Sequence, residues 1–122
     1  MLVRLAAAIL FSFQAIAAHA EALALTVTKA EIGNDLAPPM RMLSLTLARE
    51  SAMAFGDFTT RHVGKIIDVR VDGAVVMSPR IVEPILGGMV MVSGMFEPGQ
   101  LETMADRISS GAAKVEVETQ PE

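Results

Sequence analysis

Residues 67–77, IDVRVDGAVVM, constrain the chain most, because they leave little choice of local fold. Ile67, Val69 and Val71 alternate with Asp68 and Arg70, the period-two pattern of a half-buried strand. Asp72-Gly73 follows, and then the apolar run of residues 74–77. Asp and Gly both tolerate positive φ, which a type I′ turn needs at its two central positions. The sequence therefore predicts a β-hairpin closed by a two-residue turn.

The remaining elements follow from the same periodicities. Residues 23–27 alternate apolar side chains with Ala24 and Thr26, and residues 42–47 (MLSLTL) put Leu43, Leu45 and Leu47 on one face. Residues 50–62 predict a helix whose stripe is Ala52, Phe55, Thr59 and Val63, with Val63-Gly64 suited to its end. Gly56 inside that helix costs about 1 kcal/mol against Ala, so close approach of another backbone is expected there. Gly33-Asn34-Asp35 and Pro38-Pro39 predict a loop.

Pro79 and Pro84 bracket an irregular crossing, which Gly87-Gly88 ends, and residues 89–93 can form another strand. Glu97-Pro98 opens a second helix, where proline in the first turn loses nothing. Leu101, Met104, Ala105 and Ile108 form its stripe, and Gly111 stops it. Val115 and Val117, alternating with Glu116 and Glu118, close the chain with a short strand. The fold class expected is α+β, an antiparallel or mixed sheet with two helices packed on one face.

Residues 1–20 read as a secretory signal peptide. Arg4 supplies the positive end, residues 5–13 the apolar run, and Ala18-His19-Ala20 a small-x-small cleavage site. Residues 21–122 are then one domain, long enough for a core that buries roughly two-thirds of the unfolded chain's surface. Losing Arg4 makes it one unit more negative than the −4 of the whole chain. Its basic residues are scattered, which excludes a clustered phosphate-binding face, so no nucleic-acid partner is expected. No later segment is long and apolar enough to span a membrane. The chain has no Cys, which removes disulfides, thiolate nucleophiles and Cys-ligated zinc together.

Catalytic signals are equally sparse. His62 is the one histidine after the leader, and Asp57, five residues earlier, lies about 140° away around the helix. Ser78 and Ser93 lack a nucleophile-elbow context, and Asp68 and Asp72 read as a strand residue and a turn residue. No phosphate loop or dinucleotide fingerprint is present. Neither an enzyme nor a cofactor is expected.

Methionine is the unusual feature. Met89, Met91 and Met95 concentrate after the double glycine, and Met40 and Met42 form a second Met-x-Met pair. Core packing is the ordinary use of such residues. An adaptable apolar groove for unfolded polypeptide is a second reading, and a thioether Cu(I) site a third. In a strand Met89 and Met91 share one face while Val90 and Val92 share the other. One face must meet the helices, leaving the other to present apolar surface outward or to a partner.

Several motifs occur in a fixed order. His62-Val63-Gly64-Lys65 closes a helix, Asp72-Gly73 ends a strand, and residues 79–88 read PRIVEPILGG. Ser93-Gly94-Met95-Phe96 follows, and Ser110-Gly111-Ala112 closes the last helix. Residues 25–113 thereby resemble the head subdomain of the first periplasmic domain of SecD, the auxiliary subunit of the bacterial protein-export translocase. That family has Asn where His62 stands, which implies a polar helix-end role for His62. This chain departs from the family in its greasier strand Met89-Val90-Met91-Val92 and in the acidic tail after Lys114. The resemblance implies a periplasmic, non-enzymatic binding domain that contacts exported polypeptide or an envelope protein. Pro84, Ile85, Met89, Met91, Met95 and Phe96 are the expected contact residues. A homodimer built on the apolar strand and a methionine-based Cu(I) carrier are the alternatives.

Overall fold

The computed structural model describes residues 20–33 and 40–121. Apart from Ala20, the expected leader lies outside the described residues, as does most of the loop expected after Gly33. The elements run β1 (Ala22–Leu25), β2 (Val27–Gly33), β3 (Met40–Leu47), α1 (Arg49–Arg61), β4 (Ile67–Val71), β5 (Ala74–Met77), β6 (Met89–Met95), α2 (Gln100–Ser109) and β7 (Val115–Thr119).

All strand pairs are antiparallel, and they form two sheets, β1-β7-β4-β5 and β2-β3-β6. The α+β class with two helices stands, and the sheet is divided in two. The division falls at Thr26. Before it Leu25 pairs with Val115, and after it Val27 pairs with Leu47. The Thr26 amide donates to Ser51 Oγ and its carbonyl accepts from the Ala48 amide, each at 2.8 Å. The start of α1 thus satisfies backbone groups at the point where the chain changes sheets. A register shift between Val27 and Lys29 bends the strand further.

The hairpin forms as its sequence requires. Asp72 and Gly73 have φ of 52° and 84°, and Val71 faces Ala74 across the turn. Asp72 does more than turn the chain. Its Oδ1 accepts from the Lys114 amide at 2.9 Å and its Oδ2 from Arg107 at 2.8 Å. Those bonds, Arg107 foremost, hold its carboxyl below the usual range and join the turn to the end of α2 and the start of β7.

The core collects the inward faces of both sheets. Leu43, Leu45 and Leu47 meet Val90 and Val92 of β6, while Ile67, Val69, Val115 and Val117 come from the other sheet. Each such side chain stabilises the fold by roughly 1.5–3 kcal/mol relative to exposure. Helix α1 buries Phe55, Phe58 and Thr59. Val63, expected in that stripe, is instead exposed, because α1 ends at Arg61 and Gly64, at φ 90°, turns the chain away. Helix α2 buries Leu101, Ala105 and Ile108 and packs over β2. It starts at Gln100 rather than at Pro98, since Gly99 at φ 84° lies outside helical geometry.

Candidate functional site

The crossing between β5 and β6 is irregular but firmly held. The Gly64 amide donates to the Ile81 carbonyl at 2.6 Å, Ile81 to Lys65 at 2.8 Å, and Ile67 to Pro79 at 3.0 Å. Further on, the Ile85 amide donates to the buried Thr59 Oγ1 at 2.9 Å. Leu86 then lies on Gly56, where a Cβ would come 3.2 Å from Leu86 Cδ2 and 3.8 Å from the Ile85 carbonyl oxygen. The close neighbour expected at Gly56 is therefore first a side chain and only second a backbone. Gly88, at φ 75°, accepts from the Leu47 amide at 2.9 Å and starts the pairing of β6 with β3.

That bond fixes the phase of the ladder. Opposed residues of an antiparallel pair alternately exchange both hydrogen bonds or neither. Val90, Val92 and Gly94, opposite Leu45, Leu43 and Arg41, direct their amides and carbonyls at β3. Met89, Met91, Ser93 and Met95 direct theirs away from it. β6 ends its sheet and no described strand pairs with its outer side, so these groups form an open edge, with β5 of the other sheet lying close by. Beside the edge runs a groove of about 280 Å³, lined by core residues Phe55, Ile67 and Val69 together with Ile85, Met89 and Met91.

The methionines of β6 face outward. Met89, Met91 and Met95 are 38%, 48% and 73% exposed, whereas Val90 and Val92 are buried. Their ordinary use as core packing does not apply, because the valines between them occupy the inward face. Of the six residues expected to make contacts, the structure brings Ile85, Met89 and Met91 to the groove. Pro84 is exposed on the crossing outside that lining. Met95 and Phe96 lie toward the far end of β6, where the Phe96 ring covers Gly94. Sequence reasoning left Met77 out of the site, although it lines the groove. It also left out Met40 and Met42, which the register places on the outward face with Met40 opposite Met95. Their Met-x-Met spacing was a visible signal, but the pairing partner was not.

Elsewhere, polar groups serve structure. Glu21 Oε1 accepts from Arg61 at 2.6 Å and lies 3.0 Å from His62 Nε2. Arg61 first and His62 second hold the Glu21 carboxyl down to about 2. The His62 ring is 4.7 Å from that of Phe58, and its contact with Glu21 ties the end of α1 to the chain before β1. A wider cavity of about 430 Å³ lies beside the Thr26 kink, with Lys114 and Glu116 as its charged lining. It borders the paired strands β1 and β7, whereas the groove adjoins the open edge of β6. Among the described residues no group of three or more His, Asp or Glu side chains is placed to hold a metal ion. No helix among them is long and apolar enough to cross a membrane.

Two antiparallel sheets, two helices and a double glycine leading into an edge strand make this an α+β domain. It matches the structure of a membrane component SecDF that enhances protein export, with a TM-score of 0.65 and 26% identity over 74% of this chain and 42% of that one. SecDF in its super-membrane-facing form matches with a TM-score of 0.64 and 25% identity, over 74% of this chain and 13% of that one. The chain belongs to the family of the SecDF P1 head subdomain, whose model matches residues 12–115. Similar proteins include the protein translocase subunit SecD of Thermobaculum terrenum, 33% identical over 104 residues covering 78% of this chain and 20% of the relative. The SecD of Acidaminococcus fermentans is 34% identical over 77 residues, 63% of this chain and 18% of the relative. The chain thus spans about a fifth of the length of these relatives.

Proposed function

We propose that this chain is a non-enzymatic polypeptide-binding domain of the periplasm, freed of a leader at residues 1–20, that receives extended apolar segments of exported proteins. One observation carries the reading: β6 presents the backbone groups of Met89 and Met91 at an open edge, directly beside an apolar groove. A segment added to that edge gains main-chain hydrogen bonds whatever its sequence, and every second side chain can enter the groove. Methionine lining suits such a client, because unbranched polarizable side chains repack around different shapes. Membership of a head-subdomain family and likeness to a component that enhances protein export support the same role.

A photo-reactive group at Met91, crosslinked in the periplasm, tests it. The expected product is a spread of unrelated exported chains. One stoichiometric partner would make the domain a dedicated subunit instead, and crosslinks confined to a second copy would make the edge a dimer seam. Absence of any crosslink removes the binding role.

A further inference from the structure

We propose that the outward face of β3 and β6 is a methionine oxidation site, and that its sulfoxidation releases polypeptide from the β6 edge. This rests on the docking role of that edge. Met40, Met42, Met89, Met91 and Met95 all project from one face, with Met40 opposite Met95, Ser44 opposite Met91 and Met42 opposite Ser93. The phase of the ladder makes these the pairs without mutual hydrogen bonds, whose side chains approach most closely. Four of the five methionines are more than a third exposed. The other side of the same strands, Leu43, Leu45, Val90 and Val92, carries the core. A chemical change at the sulfurs therefore alters the docking surface and leaves the fold in place.

The chemistry needs only a peroxide. A thioether lone pair attacks one peroxide oxygen, an S–O bond forms and the O–O bond breaks. The sulfur loses two electrons, and the departing hydroxide takes up the remaining proton as water. The product is polar and chiral, and reductases specific for each sulfoxide epimer return it to the thioether. An apolar client segment would then have to bury an S=O group with no hydrogen-bond donor of its own to offer it. Exposure orders the targets, with Met95 first. Met91 reacts more slowly than its exposure alone gives, because Ser44 Oγ donates to its Sδ at 3.1 Å and engages a lone pair. Met42, Met77 and Met104 are half-buried and react after the four exposed methionines of this face.

The experiment uses the purified chain carrying Met53→Leu, since Met53 is exposed on α1 outside this face. The probe is a fluorescent, permanently unfolded protein, reduced and carboxymethylated α-lactalbumin. Hydrogen peroxide is added in steps, each sulfoxide is located by peptide mass, and probe binding and thermal melting are followed in parallel. Binding is expected to weaken by about tenfold or more as Met95, Met91 and Met89 gain oxygen, because a buried polar group lacks a partner. Melting stays unchanged, and treatment with both sulfoxide reductases restores binding. Replacing Met40, Met42, Met89, Met91 and Met95 by Leu leaves Met77 as the one methionine lining the groove, and whatever binding this variant shows before treatment is expected to resist peroxide until Met77 itself gains oxygen. The pair Met89→Leu and Met91→Leu gives partial resistance and serves if the fivefold variant does not fold. Binding that survives full sulfoxidation, or that is lost equally in the leucine variants, overturns the switch alone. No binding by the untreated chain overturns the docking role and the switch with it.

Discussion

Thr59 Oγ1 accepts the Ile85 amide at 2.9 Å while its own proton is shared between the carbonyls of Phe55 and Gly56, at 3.0 and 3.1 Å. One buried hydroxyl therefore closes a helix turn and anchors the wall of the groove. Thr59→Val keeps the shape and removes the acceptor, leaving the Ile85 amide without a partner. That costs about 1–3 kcal/mol, and hydrogen exchange at Ile85 accelerates. Thr59→Ser restores the amide's protection. Equal protection in the valine variant would show that the crossing is held from elsewhere.

Gly56 tests the contact on the other side of the same turn. A methyl group there meets Leu86 Cδ2 at 3.2 Å, but Leu86 is 73% exposed and free to swing outward. Gly56→Ala should therefore raise stability by less than the full helix-propensity gain of about 1 kcal/mol. In a Leu86→Ala background the full gain is expected, read as a difference in chemical denaturation midpoints. A loss of stability in both backgrounds would mean that the Ile85 carbonyl, not the side chain, limits the space.

Much of this arrangement could be read in the residues. Strict alternation at Leu43, Leu45 and Leu47 fixes which side chains go inward, and the positive φ open to Asp72 and Gly73 fixes the hairpin. Periodicity specifies faces but not partners, which is why the change of sheet at Thr26 was not legible. It depends on Ser51 and Ala48, some 25 residues away in sequence. The helix stripe went astray at Val63 for a related reason. Spacing continues a helix indefinitely, whereas Gly64 and the bond from its amide to Ile81 end it. Exposure of Met89 and Met91 was one of two outcomes the alternation allowed. Val90 and Val92 decided it by filling the space against Leu43 and Leu45.

Glu21 makes stability depend on acid. Its carboxyl is lowered from the usual 4.5 to about 2 by Arg61 and His62. A carboxyl lowered by folding contributes fully above its unfolded value and loses that contribution as pH falls through the folded value. The side chain is 40% exposed, so solvent screening limits the contribution to about 1 kcal/mol or less. Glu21→Gln should be less stable than the parent at pH 7, and the difference should shrink below pH 4.5 and vanish near pH 2. Denaturation at four pH values in that span measures it. A constant difference down to pH 2 would assign the effect to the hydrogen bonds rather than the charge.

Neighbouring residues of β6 should separate folding from binding. Val92 is fully buried against Leu43, and Met91, one position earlier, is 48% exposed beside the groove. Val92→Ala removes packed methyl groups and leaves a cavity, at a cost of about 2 kcal/mol. Met91→Ala, and Met89→Ala with it, should change stability by no more than about 0.5 kcal/mol. The same pair should weaken capture of an unfolded polypeptide, because it strips the groove of its flexible apolar wall. If the methionine variants lose stability while binding holds, the side chains belong to the core and the edge of β6 recognises nothing through them. If they keep both stability and binding, the main-chain groups of the open edge carry recognition by themselves, and a proline at Met91, which removes an outward amide, becomes the substitution that abolishes it.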